Sequence, residues 1–276
     1  MAGTRPISIR ISGGRRIVRP NWLRWPLLVL PPFLALLALC SVNLAAHGRF
    51  AVSPFGNIFL LARVLYDGPG LAALHRDCPT THWHLCPFLA DFPTNSDDFL
   101  WTLDSPLNRA GGAKLVSTEA DAIIAAAIRT DPIGEFHAAL TNTLTQLTQF
   151  ASGDGFNPWP AQVSPWIARY FPAREQAAYA AARQQQGTFS VPPPLARIHQ
   201  IVALAGVMAC VLLLPGAWRR RSPCAGLLLA VLLVLPLSAA ITGALSGPHD
   251  RYQARIMWLP PFAAAIAFAA SRRQPS

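Results

Sequence analysis

Two short stretches gather side chains that can do chemistry. In CPTTHWHLC, Cys78 and Cys86 bracket His82 and His84. Thiolates and imidazoles are the ligands of zinc, but structural zinc usually draws them from two separated pairs, which this loop does not supply. Two thiols exported to an oxidising compartment would instead form a disulfide. The spacing leaves both outcomes open, and the compartment decides between them.

The second stretch is SGPHDRYQAR, residues 246–255. His249, Asp250, Arg251, Tyr252 and Arg255 put an imidazole, a carboxylate, a phenol and two guanidiniums into one short turn between hydrophobic runs. Guanidinium forks match phosphate oxygens two at a time, so the set is a candidate ligand site for a phosphate or diphosphate. The competing reading is an interfacial anchor, with Tyr252 and Trp258 in an aromatic belt and the arginines reaching headgroups. A third group, Asp97, Asp98 and Asp104 beside Trp101, suits a cation or a general base. Carboxylates next to Ser, Pro and Gly are also ordinary turn and cap residues.

The elements that must carry these stretches are set by composition. The chain is 52% hydrophobic and 13% charged, about half the charge of a soluble domain. Four apolar runs approach the roughly 20 residues that a helix needs to cross the hydrocarbon core: 25–46, 200–217, 225–245 and 256–270. Each contains proline, which a spanning helix tolerates where neighbours satisfy the freed carbonyls. The expected fold is therefore an α-helical integral membrane protein with about four transmembrane helices. A mainly α domain, residues 47–199, lies between the first and second.

A net charge of +10 raises the question of nucleic acid, and the distribution of charge answers it. Ten basic and twelve acidic residues nearly cancel between 47 and 199. The other basic residues sit beside the apolar runs, as topology signals do. Arginines 5, 10, 15, 16, 19 and 24 precede the first run, Arg219–Arg221 fall in the loop 218–224, and Arg272 and Arg273 lie in the tail 271–276. With alternating spans all three clusters share a side, and the positive-inside rule makes it the cytoplasm. The N-terminus 1–24 is then cytoplasmic in a bacterial inner membrane, and residues 47–199 and the turn 246–255 are periplasmic. The first run is twice a typical signal-peptide core and holds Pro31 and Pro32, so an anchor is expected rather than a cleaved leader. No nucleic-acid partner is expected.

That placement bears on the opening loop. Cys40 and Cys210 fall within spans and Cys224 at a cytoplasmic edge, so Cys78 and Cys86 are the exported pair. A Cys78–Cys86 disulfide is expected, with no metal.

Within 47–199 the signals are helical. Ser53 and Pro54 open one segment that Gly68 stops, and Thr118 to Asp121 resembles a capping box. Asp131–Pro132 starts a helix running to about 150, on which Ile133, Phe136, Leu140, Leu144, Leu147 and Phe150 recur every three or four residues. Pro172 starts another, to about 186. GDGFNPWP, residues 153–160, has the composition of a connector.

The blocks FGNIFLLARVLYDGPG, DDFLWTLDSP, GDGFNPW and GPHDRYQAR, with the cysteine pair, resemble the carboxy-terminal half of uncharacterised multi-pass inner-membrane proteins of alphaproteobacteria. Those are distantly similar in layout to polyprenyl-phosphate-dependent multi-pass glycosyltransferases. The catalytic carboxylate of that class is expected in the first exported loop of a longer helix bundle, and this chain matches no position to it. No phosphate loop, dinucleotide fingerprint or serine elbow is present, and no cofactor is expected. The expected function is a non-catalytic partner or assembly component in cell-envelope biogenesis. The alternative is a glycosyltransferase-like module handling a lipid-linked phosphate-containing substrate at the periplasmic face. The implied partners are the lipid bilayer and either that lipid-linked phosphate or another envelope membrane protein.

Overall fold

The computed structural model describes residues 25–272, with side chains from Val29 onward. The basic N-terminus 1–24 and Arg273 lie outside the described residues. Every regular element among those described is helical, and four stretches are long and apolar enough to cross a bilayer: Val29–His47, Pro193–Arg219, Pro223–Ser246 and Asp250–Arg272. These are the properties of a multi-pass membrane protein.

The chain divides into two compact units after Pro54. In the first, α1 (Trp25–His47) carries Pro31 and Pro32 and exposes apolar side chains along its length, among them Phe33, Leu37 and Val42. Its far end turns back on itself. The Asn43 carboxamide donates to the carbonyls of Ala51 and Val52 at 2.8 and 3.0 Å, and Arg49 donates to that of Pro54 at 2.9 Å.

The second unit opens with α2 (Gly56–Tyr66) and α3 (Pro69–Thr81), followed by a 3-10 turn, Cys86–Asp91. Next come α4 (Ser96–Trp101), α5 (Pro106–Arg109), α6 (Gly112–Thr130) and α7 (Pro132–Thr148). Two surface helices, α8 (Pro160–Tyr170) and α9 (Ala173–Ala181), lead to α10 (Pro193–Arg219), α11 (Pro223–Ser246), α12 (Asp250–Ala254) and α13 (Leu259–Arg272).

Helices α2, α3 and α6 enclose an apolar core in which Leu61, Val64, Leu74, Leu85, Phe99, Val116 and Ile123 are fully buried. Cys78 and Cys86 are joined by a disulfide across the end of α3, with Cα atoms 5.4 Å apart. Closing so short a loop stabilises the fold by about 2–3 kcal/mol, chiefly by restricting the unfolded chain. His84, between the cysteines, meets Glu119 of α6. Its Nδ1 lies 2.8 Å from Oε2, and its main-chain N–H donates to the same oxygen at 2.9 Å. Thr118 to Asp121 is not a helix start: α6 begins at Gly112, Thr118 donates to the Leu115 carbonyl at 2.7 Å and Asp121 accepts from Asn57 at 3.1 Å, while Glu119 between them serves the disulfide loop.

Asp131 caps α7 as expected, accepting from the Gly134 N–H at 2.8 Å. The apolar stripe of α7, however, faces outward. Ile133 and Phe136 are 79% and 70% exposed, while Glu135 and Gln146 are buried. The inversion has a physical cause. The polar side of α7 finds partners at α2 and beyond α11, so most of its buried hydrogen-bonding groups are satisfied inward. Arg63 donates to Glu135 at 2.7 Å and to Asp67 at 3.0 Å, and Asn142 donates to Asp67 at 2.9 Å. The approach to α11 is close: a Cβ on Gly243 would lie 2.6 Å from the Asn142 carbonyl oxygen. Small residues allow such helix contacts.

In the apolar bundle α10 and α13 run in the same sense, with α11 antiparallel to both. At Gly206 a Cβ would fall on Pro261, and the Cys210 thiol donates to the Pro260 carbonyl at 3.2 Å. Arg219–Arg221 and Arg272 share one end of this bundle; His199, Ser246 and His249 share the other. The fourth apolar stretch starts earlier than its run of apolar residues indicates. It includes α12, so most of the polar turn is the first part of a broken helix, interrupted between Ala254 and Leu259.

Candidate functional site

The polar turn is where helices α4 and α7 and the loop 149–155 meet the apolar bundle. His249 is the N-cap residue of α12, and its backbone is gripped by a side chain from α7. Gln146 donates to the His249 carbonyl at 2.9 Å and accepts from its N–H at 2.8 Å. Asp250 accepts from the Ala151 N–H at 2.6 Å. Asp154, held in a turn between Gly153 and Gly155 at φ +109° and +84°, takes the Arg251 N–H at 3.1 Å and its guanidinium at 3.4 Å. Glycine is favoured on both sides of Asp154 because L side chains rarely adopt such φ values. Asp97, in the first turn of α4, reaches the same group: its carboxylate lies 3.7 Å from His249 Nε2 and 4.0 Å from Arg251.

His249 therefore sits between two carboxylates, 3.8 Å from Asp154 on its Nδ1 side. Its pKa is nonetheless held below the ordinary imidazole value. Burial opposes the charged form most strongly and the Arg251 charge adds to it, outweighing Asp97, Asp154 and Asp250. The imidazole is thus kept neutral near pH 7. Tyr252 meets it edge-on at 5.4 Å and bonds Ser246 at 3.0 Å. Arg251 and Arg255 lie 5.3 and 5.9 Å from the Tyr252 ring centre, within cation–π reach.

Two cavities flank Arg251. One, of about 440 Å³, is lined by Trp101, Trp159, Asp97, Gln162 and Val163. The other, of about 520 Å³, is formed by the backbone of residues 151–155 with Ala254 and Arg255. Arg255 is exposed there and makes no ion pair among the described residues.

The five turn residues named from the sequence are thus together, but their ionic partners are not in the turn. Asp97 was visible as one of three clustered carboxylates. Asp98 instead meets Asn95 at 2.7 Å, and Asp104 stands 3.9 Å from Arg109. Asp154 lay in a stretch with the composition of a connector. Its signal was the Gly-Asp-Gly pattern, which fixes an aspartate on a tight turn. Gln146 had no sequence signal beyond its place on the polar side of α7.

No family model, curated protein or solved structure matches this chain. The class the fold defines is a multi-pass helical membrane protein with a polar junction at one end of its bundle.

Proposed function

We propose that the protein is a multi-pass component of a bacterial inner membrane, with its N-terminus cytoplasmic and residues 47–199 and 246–255 periplasmic. In this reading it acts as a non-catalytic partner or assembly component in cell-envelope biogenesis. The orientation is supported by the arginines gathered at the ends of α10 and α13, together with those before α1. The role is supported by one observation above all: the polar groups of the turn are largely spent on partners from residues 146–154. Asp250 serves the Ala151 N–H, Arg251 serves Asp154, and Gln146 serves the His249 backbone. Such a clasp holds the α2–α7 region on the apolar bundle and leaves few groups aimed at a substrate.

A second reading has its own support. Arg255 stands exposed in a cavity that also contacts Arg251, and Trp101 and Trp159 line the cavity on the other side. Two guanidiniums beside an aromatic cleft suit a lipid-linked phosphate-containing substrate, as in a glycosyltransferase-like module at the periplasmic face.

A chromosomal deletion complemented by variants separates the two. The clasp reading expects Asp154→Asn and Arg251→Ala to lower the amount of folded protein and the envelope phenotype in step. It also expects Arg255→Ala to complement fully. Loss of complementation by Arg255→Ala at normal membrane abundance overturns it in favour of the second reading. A reporter fused at residue 120 tests the orientation, and cytoplasmic activity there overturns it.

A further inference from the structure

The opposite end of the bundle holds a site of a different kind. There a cavity of about 220 Å³ opens between α10, α11 and α13. Leu212, Leu213 and Gly216 form its apolar side, and Arg220, Ser222 and Ser271 form its polar rim. Leu212 and Leu213 also line a second, nearly all-apolar trough of about 400 Å³ between α10 and α13, with Ala209, Ala264 and Phe268. A cationic rim beside an apolar slot along two membrane helices has the polarity of an amphiphile with an anionic head.

The charge pattern points the same way. Arg219, Arg220 and Arg221 are exposed and make no ion pair among the described residues. No Asp or Glu occurs between Glu175 and Asp250, so no acidic group of this stretch neutralises them. The rim also offers a neutral donor. The Ser222 oxygen accepts the Cys224 N–H at 3.3 Å as the cap of α11, which leaves its O–H free to donate outward. The Ser271 hydroxyl, exposed at the end of α13, donates to the Phe268 carbonyl at 2.8 Å and shapes the rim without serving as a donor. The N-terminus of α11, a 24-residue helix, adds the positive end of its dipole at the same point. Gly216 faces open space on this side: a Cβ there would meet nothing within 4 Å.

From this geometry we infer a binding site for an anionic glycerophospholipid. Its phosphate is held at Arg220 and Ser222, and one acyl chain lies past Leu212 and Leu213 toward Phe268. Basic pockets between membrane helices are suited to anionic headgroups. The apolar trough distinguishes this site from one for free phosphate, which would have no use for it. The site is separate from the His249 junction and stands whichever reading of that junction holds.

Native mass spectrometry of the full chain in detergent tests the assignment. The probes are phosphatidylglycerol and phosphatidylcholine with identical acyl chains. The expected result is a one-to-one phosphatidylglycerol adduct that survives activation sufficient to strip phosphatidylcholine. Arg220→Ala should weaken it about tenfold or more, the scale of losing a charge-assisted hydrogen bond. Gly216→Leu keeps every charge and fills the slot, and it should abolish the long-lived adduct. A Cβ at residue 216 meets no neighbour, and circular dichroism of the variant checks that it folds as the parent does. Arg197→Ala, near the other end of α10, should change nothing. Equal retention of both lipids, or an Arg220→Ala variant that binds as the parent does, overturns the site. So does a Gly216→Leu variant that still holds phosphatidylglycerol, since headgroup attraction alone would then account for the binding.

Discussion

Gln146 and His249, 103 positions apart in sequence, exchange two hydrogen bonds in which one carboxamide satisfies both main-chain groups of the histidine. The Gln146 side chain is fully buried, so it does for the turn what a neighbouring backbone would do in a regular element. Replacing it by leucine preserves volume and leaves a part-buried N–H and C=O unpaired. Gln146→Leu should cost about 2–3 kcal/mol of stability, measured by unfolding the detergent-solubilised chain. A loss below about 0.5 kcal/mol, within the range of ordinary surface substitutions, would mean that water replaces the carboxamide and that the clasp is not structural.

The Arg63–Glu135 pair makes the second prediction. Both side chains are buried, and Glu135 Oε1 and Arg63 Nε lack partners among the described residues. Desolvation raises the Glu135 pKa, against the lowering influence of Arg63. The folded state therefore binds this proton more tightly than the unfolded chain does. Its contribution is full below the ordinary glutamate value and is lost as pH rises through the raised folded value. Glu135→Gln should flatten that part of the stability-versus-pH curve. Arg63→Ala leaves a buried carboxylate uncompensated and should cost about 3–5 kcal/mol near neutrality. Arg63→Met combined with Glu135→Leu should recover most of the loss, because an apolar pair of similar volume carries no desolvation cost.

His249 shifts in the opposite sense, and its consequence is an acid-sensitive junction. The folded pKa lies below that of the unfolded chain, so the unfolded state binds more protons over the interval between them. Stability should fall as pH drops through about 6.5 toward the lowered value, with a slope no steeper than about 1.4 kcal/mol per pH unit. Hydrogen exchange at Ala151 and Arg251, whose N–H groups close the clasp onto Asp250 and Asp154, should quicken over the same interval. His249→Asn should remove that pH dependence while keeping the Gln146 contacts, which involve only the backbone. A His249→Asn variant with an unchanged pH profile would show that the acid sensitivity of the junction does not come from His249.

The parts legible in the sequence are those governed by local composition. Span length and apolarity marked four membrane helices, and Asp131–Pro132 marked the start of α7. Long-range pairing was not legible. Nothing in the local pattern says that Asp154, between two glycines, meets Arg251 almost a hundred residues later. The direction of the α7 stripe was hidden for a related reason. Periodicity shows that one face is apolar but not which face is inward, and here Glu135, Asn142 and Gln146 found polar partners on α2 and beyond α11. The capping-box pattern at Thr118 failed because both of its ends are used inside a longer helix: Thr118 donates to the Leu115 carbonyl and Asp121 accepts from Asn57, while Glu119 between them receives the N–H groups of His84 and Leu85 beside the disulfide.

That use of Glu119 makes the Cys78–Cys86 loop a compound device, and its two supports should separate experimentally. The disulfide restricts the unfolded chain, whereas Glu119 acts in the folded state by accepting from the loop backbone at 2.9 and 3.3 Å. Cys78→Ser with Cys86→Ser should cost about 2–3 kcal/mol and leave the loop conformation in place, because Leu85 remains fully buried in the α2–α3–α6 core. Glu119→Ala should cost about 1–3 kcal/mol with the disulfide still formed, since the cysteines stay close in sequence. Combining the changes should do more than either alone, and protease cutting within residues 78–86 should then appear under native conditions. The readouts are non-reducing peptide mass spectrometry for the bridge and limited proteolysis for the loop. If the cysteine variant alone opens the loop to protease, the bridge is what holds the folded conformation, and the division of labour between Glu119 and the disulfide is wrong.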